Sequence, residues 1–172
     1  MQNQNTLLAV DSNFLMDLAR PEEMAFDALD VIRSRARGAR IVVTTRVVDE
    51  LVEKWKNDPD AKTREIARRA LLLMRQERDL VPVDLTDLQA TYAESIADEL
   101  REREVIKWEE RNDAIILAEA AVLGCVMLVS SDNHLLVAKP EHVREVLRQR
   151  GVSEVVIRSP RDIVREFGGR KR

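Results

Sequence analysis

The sequence predicts an α/β protein: a three-layer α/β/α sandwich around a central parallel sheet of about four or five strands. Three observations predict it. Short apolar runs alternate with amphipathic helical segments along the whole chain, the pattern of parallel strands joined by crossover helices. The runs are apolar on every residue rather than on alternate ones, as in strands covered on both faces. Two runs, 6–10 and 125–129, also lead into turns that carry an acid, Asp11 and Asp132, and right-handed crossovers collect every strand-to-helix turn on one sheet edge. That is the edge where open α/β sheets bind ligands.

Residues 6–10 (TLLAV) form the first strand, followed by the turn Asp11-Ser12-Asn13 and a helix over 14–19. Pro21 suits the first position of the next helix, whose apolar face is Met24, Ala28, Leu29 and Ile32 and which Gly38 ends. A second strand covers 41–43, and Thr44 or Thr45 can cap the helix after it. Val47, Val48, Leu51, Val52 and Trp55 make that helix's apolar stripe, with Glu50 and Glu53 on another face. After the turn cluster at 57–60, a helix over 63–77 sets Arg64, Glu65, Arg68, Arg69 and Arg75 against Ile66, Ala70, Leu73 and Met74. Residues 81–85 read as an edge strand or extended connection, since Pro82 cannot donate within a central ladder. Thr86 and Asp87 cap a helix running to about Arg103, and the charge-dense stretch 99–111 is a solvated helix face anchored by Trp108.

The segment 112–136 (NDAIILAEAAVLGCVMLVSSDNHLL) organises the second half. Asp113 heads an Ala/Leu/Ile-rich run that suits a buried helix, and Gly124 stands where its C-terminus would want glycine. Residues 125–129 (CVMLV) are a buried strand ending on Ser130-Ser131-Asp132-Asn133. A helix over 140–150 closed by Gly151, a last strand over 155–157 and a short helix from Ser159-Pro160 complete the fold. Residues 1–169 are thus one domain, with an elaborated helical segment at about 57–110 and a basic tail at 170–172.

Composition narrows the class. The 172 residues carry a net charge of −3, too small to argue for nucleic-acid binding from the total. With aromatics at 3 %, the core must be built from Leu, Val, Ile and Ala. The single Cys125 lies in an apolar strand, which excludes an internal disulfide and favours a cytoplasmic setting. Residues 1–10 lack the features of a signal peptide. The longest apolar run, 114–129, is interrupted by Glu119 and Gly124 and is too short to span a bilayer.

Four acids then map to one sheet edge. Asp11 and Asp132 follow strands, whereas Glu50 and Asp113 fall in the first turns of helices. Carboxylates gathered in this way repel, and a hard cation resolves the conflict. Mg²⁺ commonly binds through one or two carboxylates and keeps several waters, and such sites also hold paired metals that serve phosphodiester chemistry. Each acid has a plainer reading. Asp11 could only cap the next helix, Glu50 could be an exposed helix acid beside Asp49 and Glu53, Asp113 could answer the helix dipole, and Asp132 could form a turn. Asn13 and Asn112 suit either water orientation or capping. His134 and His142 read as surface or packing residues, and Cys125 as core.

The stretches LLAVDSNFLMDLA, TTRVVDELVE, NDAIILAEA and LVSSDNHLL, in this order, resemble the motifs of the PIN domain over about residues 6–167. The resemblance implies a metal-dependent nuclease, in most members a ribonuclease and in many the toxin of a toxin–antitoxin pair. Carried over by motif, Asp11, Glu50, Asp113 and Asp132 are the acidic site holding Mg²⁺ or Mn²⁺. Ser130 stands where the family often has a Thr or Ser that orients the site, and Asn13 and Asn133 are supporting residues. Asn133 and His134 replace the commoner charged pair after the last acid. The first strand and the strand before Asp132 are expected to be neighbours, bringing Asp11 and Asp132 together. The implied partners are an RNA substrate, an antitoxin protein and a second copy of the chain, with no membrane.

Three functions compete at this level. The first is an endoribonuclease, with Arg46, Lys54, Lys56 and Arg111 near the acids to hold phosphates. The second is a non-catalytic PIN-like module that binds RNA or a protein partner. The third, an aspartyl-phosphate phosphatase using Asp11, usually wants an acid two residues on, where this chain has Asn13.

Overall fold

The computed structural model describes residues 6–20, 22–36 and 38–169. The helix start expected of Pro21 and the basic tail at 170–172 lie outside the described residues. Five strands, β1 (Leu7–Val10), β2 (Arg40–Thr44), β3 (Leu80–Val83), β4 (Met127–Val129) and β5 (Val156–Arg158), form one all-parallel sheet in the order β3-β2-β1-β4-β5. The chain steps outward from β1 to β3, then returns past β1 to β4 and β5. The strand order therefore reverses between β1 and β4, the topological switch point at which such sheets open a crevice.

The central strands are apolar on both faces because helices cover both. Leu8, Ala9 and Val10 of β1 are buried, as are Leu128 and Val129 of β4. β3 lies at the edge, where Pro82 sits opposite Val43 and its missing N–H is tolerated. The helices α1 (Ser12–Ala19), α2 (Glu23–Arg35), α3 (Thr45–Asn57) and α4 (Ala61–Gln76) pack among themselves, and α9 (Pro160–Phe167) joins them against α2. On the return path α5 (Asp87–Glu102) packs on α6 (Arg111–Val122) and α8 (Pro140–Gln149), while α7 (Asn133–Leu136) is a single turn. The segment 57–110 thus supplies α4, β3 and α5. Among the described residues no helix is long and apolar enough to cross a membrane.

α6 is buried from Ala114 to Ala121, and its alanines let α5 approach closely. Complete burial of Ile116 or Leu117 contributes roughly 2–3 kcal/mol each. The helix ends at Gly124, whose φ of +81° only glycine adopts without strain. The Cys125 N–H then bonds back to the Ala120 carbonyl at 2.9 Å, so the strand expected from 125 begins two residues later, at Met127. Cys125 itself is buried, and burial pushes its thiol up to about 12.

Caps differ from expectation at two helices. α1 begins at Ser12 rather than at 14, because the Asp11 side chain accepts the Phe14 N–H and serves as its N-cap. Thr44 holds the N-cap position of α3 but makes no side-chain capping bond, and the Thr45 hydroxyl turns instead to the Val83 carbonyl of β3 at 3.4 Å. α5 starts as expected, on a reciprocal capping box of Thr86 and Gln89.

Candidate metal centre at the switch point

The β1–β4 ladder carries its last bonds straight into the site. Val10 is paired with Val129, and the next amide, Asp11 N–H, donates to the Val129 carbonyl at 3.1 Å. Ser130 N–H continues the adjoining ladder to the Arg158 carbonyl at 3.0 Å. Two residues that leave neighbouring strands at the same level therefore face each other. The Ser130 hydroxyl donates to Asp11 Oδ2 and accepts the Asp132 N–H at 2.9 Å, so one hydroxyl ties the turn after β1 to the turn after β4. From α1, Asn13 Nδ2 donates to Asp132 Oδ2 at 2.8 Å, while Asp132 Oδ1 accepts the His134 N–H at 2.8 Å and caps α7. Asn133 opens α7 and is exposed; among the described residues its side chain makes no hydrogen bond to the acids.

Asp11 is only 2 % exposed. Burial pushes its carboxyl up to about 7 against the hydrogen bonds from Ser130 and Phe14, and the charges of Glu50 and Asp132 push the same way. Asp113, in the first turn of α6, is also pushed up to about 7. Burial is again the first cause, followed by the charges of Asp132, Glu110 and Glu50, with His134 opposing. Its Oδ2 is sealed from solvent and accepts no hydrogen bond among the described residues. Glu50 comes from the second turn of α3, and its Oε1 holds Lys54 Nζ at 2.8 Å. The same ammonium lies 3.5 Å from the Ser12 hydroxyl. Asp11 and Asp113 thus each feel the charges of Glu50 and Asp132 across this edge.

Such a set fits a divalent cation. Two of its carboxyls are held near neutrality by burial and like charge, and one buried oxygen has no donor. Of the basic residues expected to hold phosphates, Lys54 is tied to Glu50, Arg46 is half-buried, and Lys56 and Arg111 are exposed.

Two acids escape a reading of the sequence. Glu119, on α6, is 6 % exposed, and its Oε2 accepts the Arg46 N–H at 3.2 Å in the first turn of α3. Burial raises its pKa, opposed by the groups around the start of α3. It supplies the acceptor that Thr44 does not, and it joins the helix carrying Asp113 to the helix carrying Glu50. Its signal was its presence, as the one charged side chain, inside an apolar run. Glu110, at the N-cap position of α6, was hidden in the charge-dense stretch. Its Oε1 lies 2.8 Å from His134 Nδ1, which is also 3.7 Å from Asp132 Oδ1. His142 is exposed on α8.

An all-parallel sheet with helices on both faces and acids at its switch point defines the class as an α/β domain with a candidate cation site. The PIN domain family model matches residues 8–140, and the chain belongs to that family. Among solved structures, it resembles a chain in the crystal structure of VapBC2 from Rickettsia felis bound to a DNA fragment from their promoter. The TM-score is 0.60 with 12 % identity, over 90 % of this chain and 98 % of that one. At that identity the likeness is one of fold. A search of curated proteins finds no match.

Proposed function

We propose that the chain is a metal-dependent endoribonuclease and the toxin of a toxin–antitoxin pair, working in the cytoplasm. The observation that carries this reading is the convergence of Asp11, Glu50, Asp113 and Asp132 at the switch point, with two of the carboxyls pushed up to about 7. Those four residues would hold Mg²⁺ or Mn²⁺. When bound, such a cation lowers the pKa of a water that can attack phosphorus and offsets the charge that builds on the phosphate.

The chain's own residues do the rest. Ser130 fixes the Asp11 carboxyl and, through the Asp132 N–H, the start of the following turn. Asn13 and the His134 N–H each occupy one oxygen of Asp132, holding that carboxylate in one orientation. Asn133, exposed at the start of α7, would serve on this reading as a substrate contact. Lys54 neutralises Glu50 and can turn to a phosphate when a cation takes its place. The toxin assignment draws on family membership and on a fold shared with a chain of a VapBC complex. An antitoxin encoded beside the gene should co-purify with the chain. Self-association is the third partner reading: Trp55 and Leu72, on α3 and α4, are each about two-fifths exposed. A clean monomer by light scattering at high concentration would remove it.

The test is cleavage of single-stranded RNA with Mg²⁺ or Mn²⁺. Asp11→Asn should abolish it with the fold intact, Asp113→Asn and Asp132→Asn should act alike, and Glu50→Gln should be similar or milder. Full activity in Asp11→Asn would sink the assignment. A wild type that cleaves no RNA, and whose melting point ignores millimolar Mg²⁺ and Mn²⁺, would point instead to a non-catalytic module that binds RNA or a protein.

A further inference from the structure

The acids of the switch point adjoin a second group with a different donor set. Glu110, Asp113 and His134 each present one ligand atom, and the three atoms lie within 4.8 Å of one another. Ligands on one ion at bond lengths of about 2.0–2.2 Å sit about 3–4.4 Å apart, so small side-chain movements close this trio on a single cation. Their backbones are fixed independently. Glu110 and Asp113 are three residues apart at the start of α6 and share a face. His134 is held by the capping bond from its N–H to Asp132 and by the full burial of its neighbour Leu135. The imidazole is therefore presented by an anchored turn, with Nδ1 facing Glu110 and Asp132.

An ordinary surface ion pair explains part of this. It accounts for His134 against Glu110, since both side chains are partly exposed. It leaves unexplained the sealed Oδ2 of Asp113, which no donor among the described residues reaches, in a carboxylate that itself converges with Glu110 and His134. We propose that Glu110, Asp113 and His134 form a second cation site, beside Asp11 and Asp132, that selects borderline transition ions such as Mn²⁺, Co²⁺ or Zn²⁺ over Mg²⁺. Imidazole nitrogen is the reason for the selectivity. Mg²⁺ holds to oxygen ligands and dehydrates reluctantly, whereas the transition ions take nitrogen readily. The proposal rests on the metal-dependent reading of the edge and adds to it a site and a choice of ion.

The chain has two histidines, His134 and His142, so imidazole NMR reads the site directly. The full chain is stripped with EDTA and titrated with Zn²⁺, Co²⁺, Mn²⁺ or Mg²⁺ alone. Zn²⁺ should shift the His134 ring nitrogens, and Co²⁺ or Mn²⁺ should shift or broaden them, while Mg²⁺ at the same concentration leaves them in place. His142 should respond to none. His134→Ala removes an exposed side chain, so the fold should hold. It should weaken Zn²⁺ by at least roughly tenfold, the loss common even for residues that only support a ligand, while leaving the Mg²⁺-induced rise in melting temperature unchanged. Glu110→Gln should also weaken Zn²⁺, and Asp11→Asn should keep the His134 response. A His134 ring that ignores all three transition ions, or responds equally in the Glu110→Gln/Asp113→Asn double variant, overturns the site. RNA cleavage with Mg²⁺ and no His134 response overturns the site and leaves the nuclease reading intact. A His134 response without cleavage does the reverse.

Discussion

Asp11→Asn should make the metal-free protein more stable, and the gain should depend on pH. Asp11 titrates near 3.8 when exposed and is pushed up to about 7 in the fold, chiefly by burial. Below about pH 4 the folded and unfolded chains both carry the proton, and Asp11 contributes nothing to the pH dependence. Between about 4 and 7 the unfolded chain loses its proton first, so the folded state binds more protons and stability falls as pH rises. Above the folded pKa the full difference, about 3 pKa units or roughly 4 kcal/mol, opposes folding. An amide cannot ionise and escapes this penalty. It can still accept the Phe14 N–H, and the Ser130 hydroxyl can rotate to meet the amide nitrogen. The lost charge-assisted bond to Ser130 removes part of the gain.

A net gain of roughly 2–3 kcal/mol is therefore expected at pH 8 in EDTA, about 5–10 °C for a domain of this size. It should shrink toward zero near pH 4. Chemical denaturation of both proteins across that range measures it. Mn²⁺ in large excess over its Kd should close or reverse the gap, since a ligand at about a hundred times its Kd stabilises the wild type by roughly 2.7 kcal/mol and the variant by less. A metal-free variant less stable than wild type at pH 8, or a gain unchanged by acidification, would refute the burial account of Asp11.

Further outcomes follow from the groups around the acids. Glu119→Ala should cost about 1–2 kcal/mol in urea melts, the value of a lost helix cap. It should also reduce the Mn²⁺-induced rise in melting temperature, whereas Glu119→Gln, which keeps the acceptor for the Arg46 N–H, should restore both. Lys54→Met frees Glu50 from a partly exposed ion pair worth about 0.6 kcal/mol. Metal should then bind roughly threefold tighter by calorimetry, while RNA cleavage falls because a phosphate contact is lost; unchanged metal affinity would show that Lys54 and the cation do not compete for Glu50.

Local chemistry made most of the fold legible in the sequence. β1 and β4 could be read because a central parallel strand must be apolar on both faces, and each ends on a polar turn that cannot be buried in the same way. Pro82 marked its strand as an edge for an equally local reason, the missing N–H. The start of β4 was misjudged because Cys125 is buried like a strand residue, yet its amide closes the turn after α6. The capping of α3 was illegible in principle. Thr44 and Thr45 are good capping residues by type, but Glu119 reaches the first turn from a different layer. Glu110 and His134 failed for the same reason: each looks solvated beside its own neighbours, and only the packing of α6 against the turn after β4 brings them together.

Asp11 and Asp113 stand apart from the ordinary helix acids of this fold. A carboxylate that caps a helix at the surface keeps its ordinary pKa or lowers it, as Asp60 does at the start of α4 and Asp162 in the first turn of α9. Asp11 makes a capping bond of the same kind and its pKa still rises, so its hydrogen bonds do not recover what burial and its neighbours take away. Asp113 rises without any capping bond from its buried oxygen. The edge is therefore assembled at a net electrostatic penalty, bearable near neutral pH because protons can sit on these two carboxyls. On the proposed reading a divalent cation displaces those protons, so metal affinity and the stability lost by the metal-free chain must both grow through the same pH interval. One pair of buried carboxyls sets both curves, and that coupling is what a merely structural role for Asp11 and Asp113 does not supply.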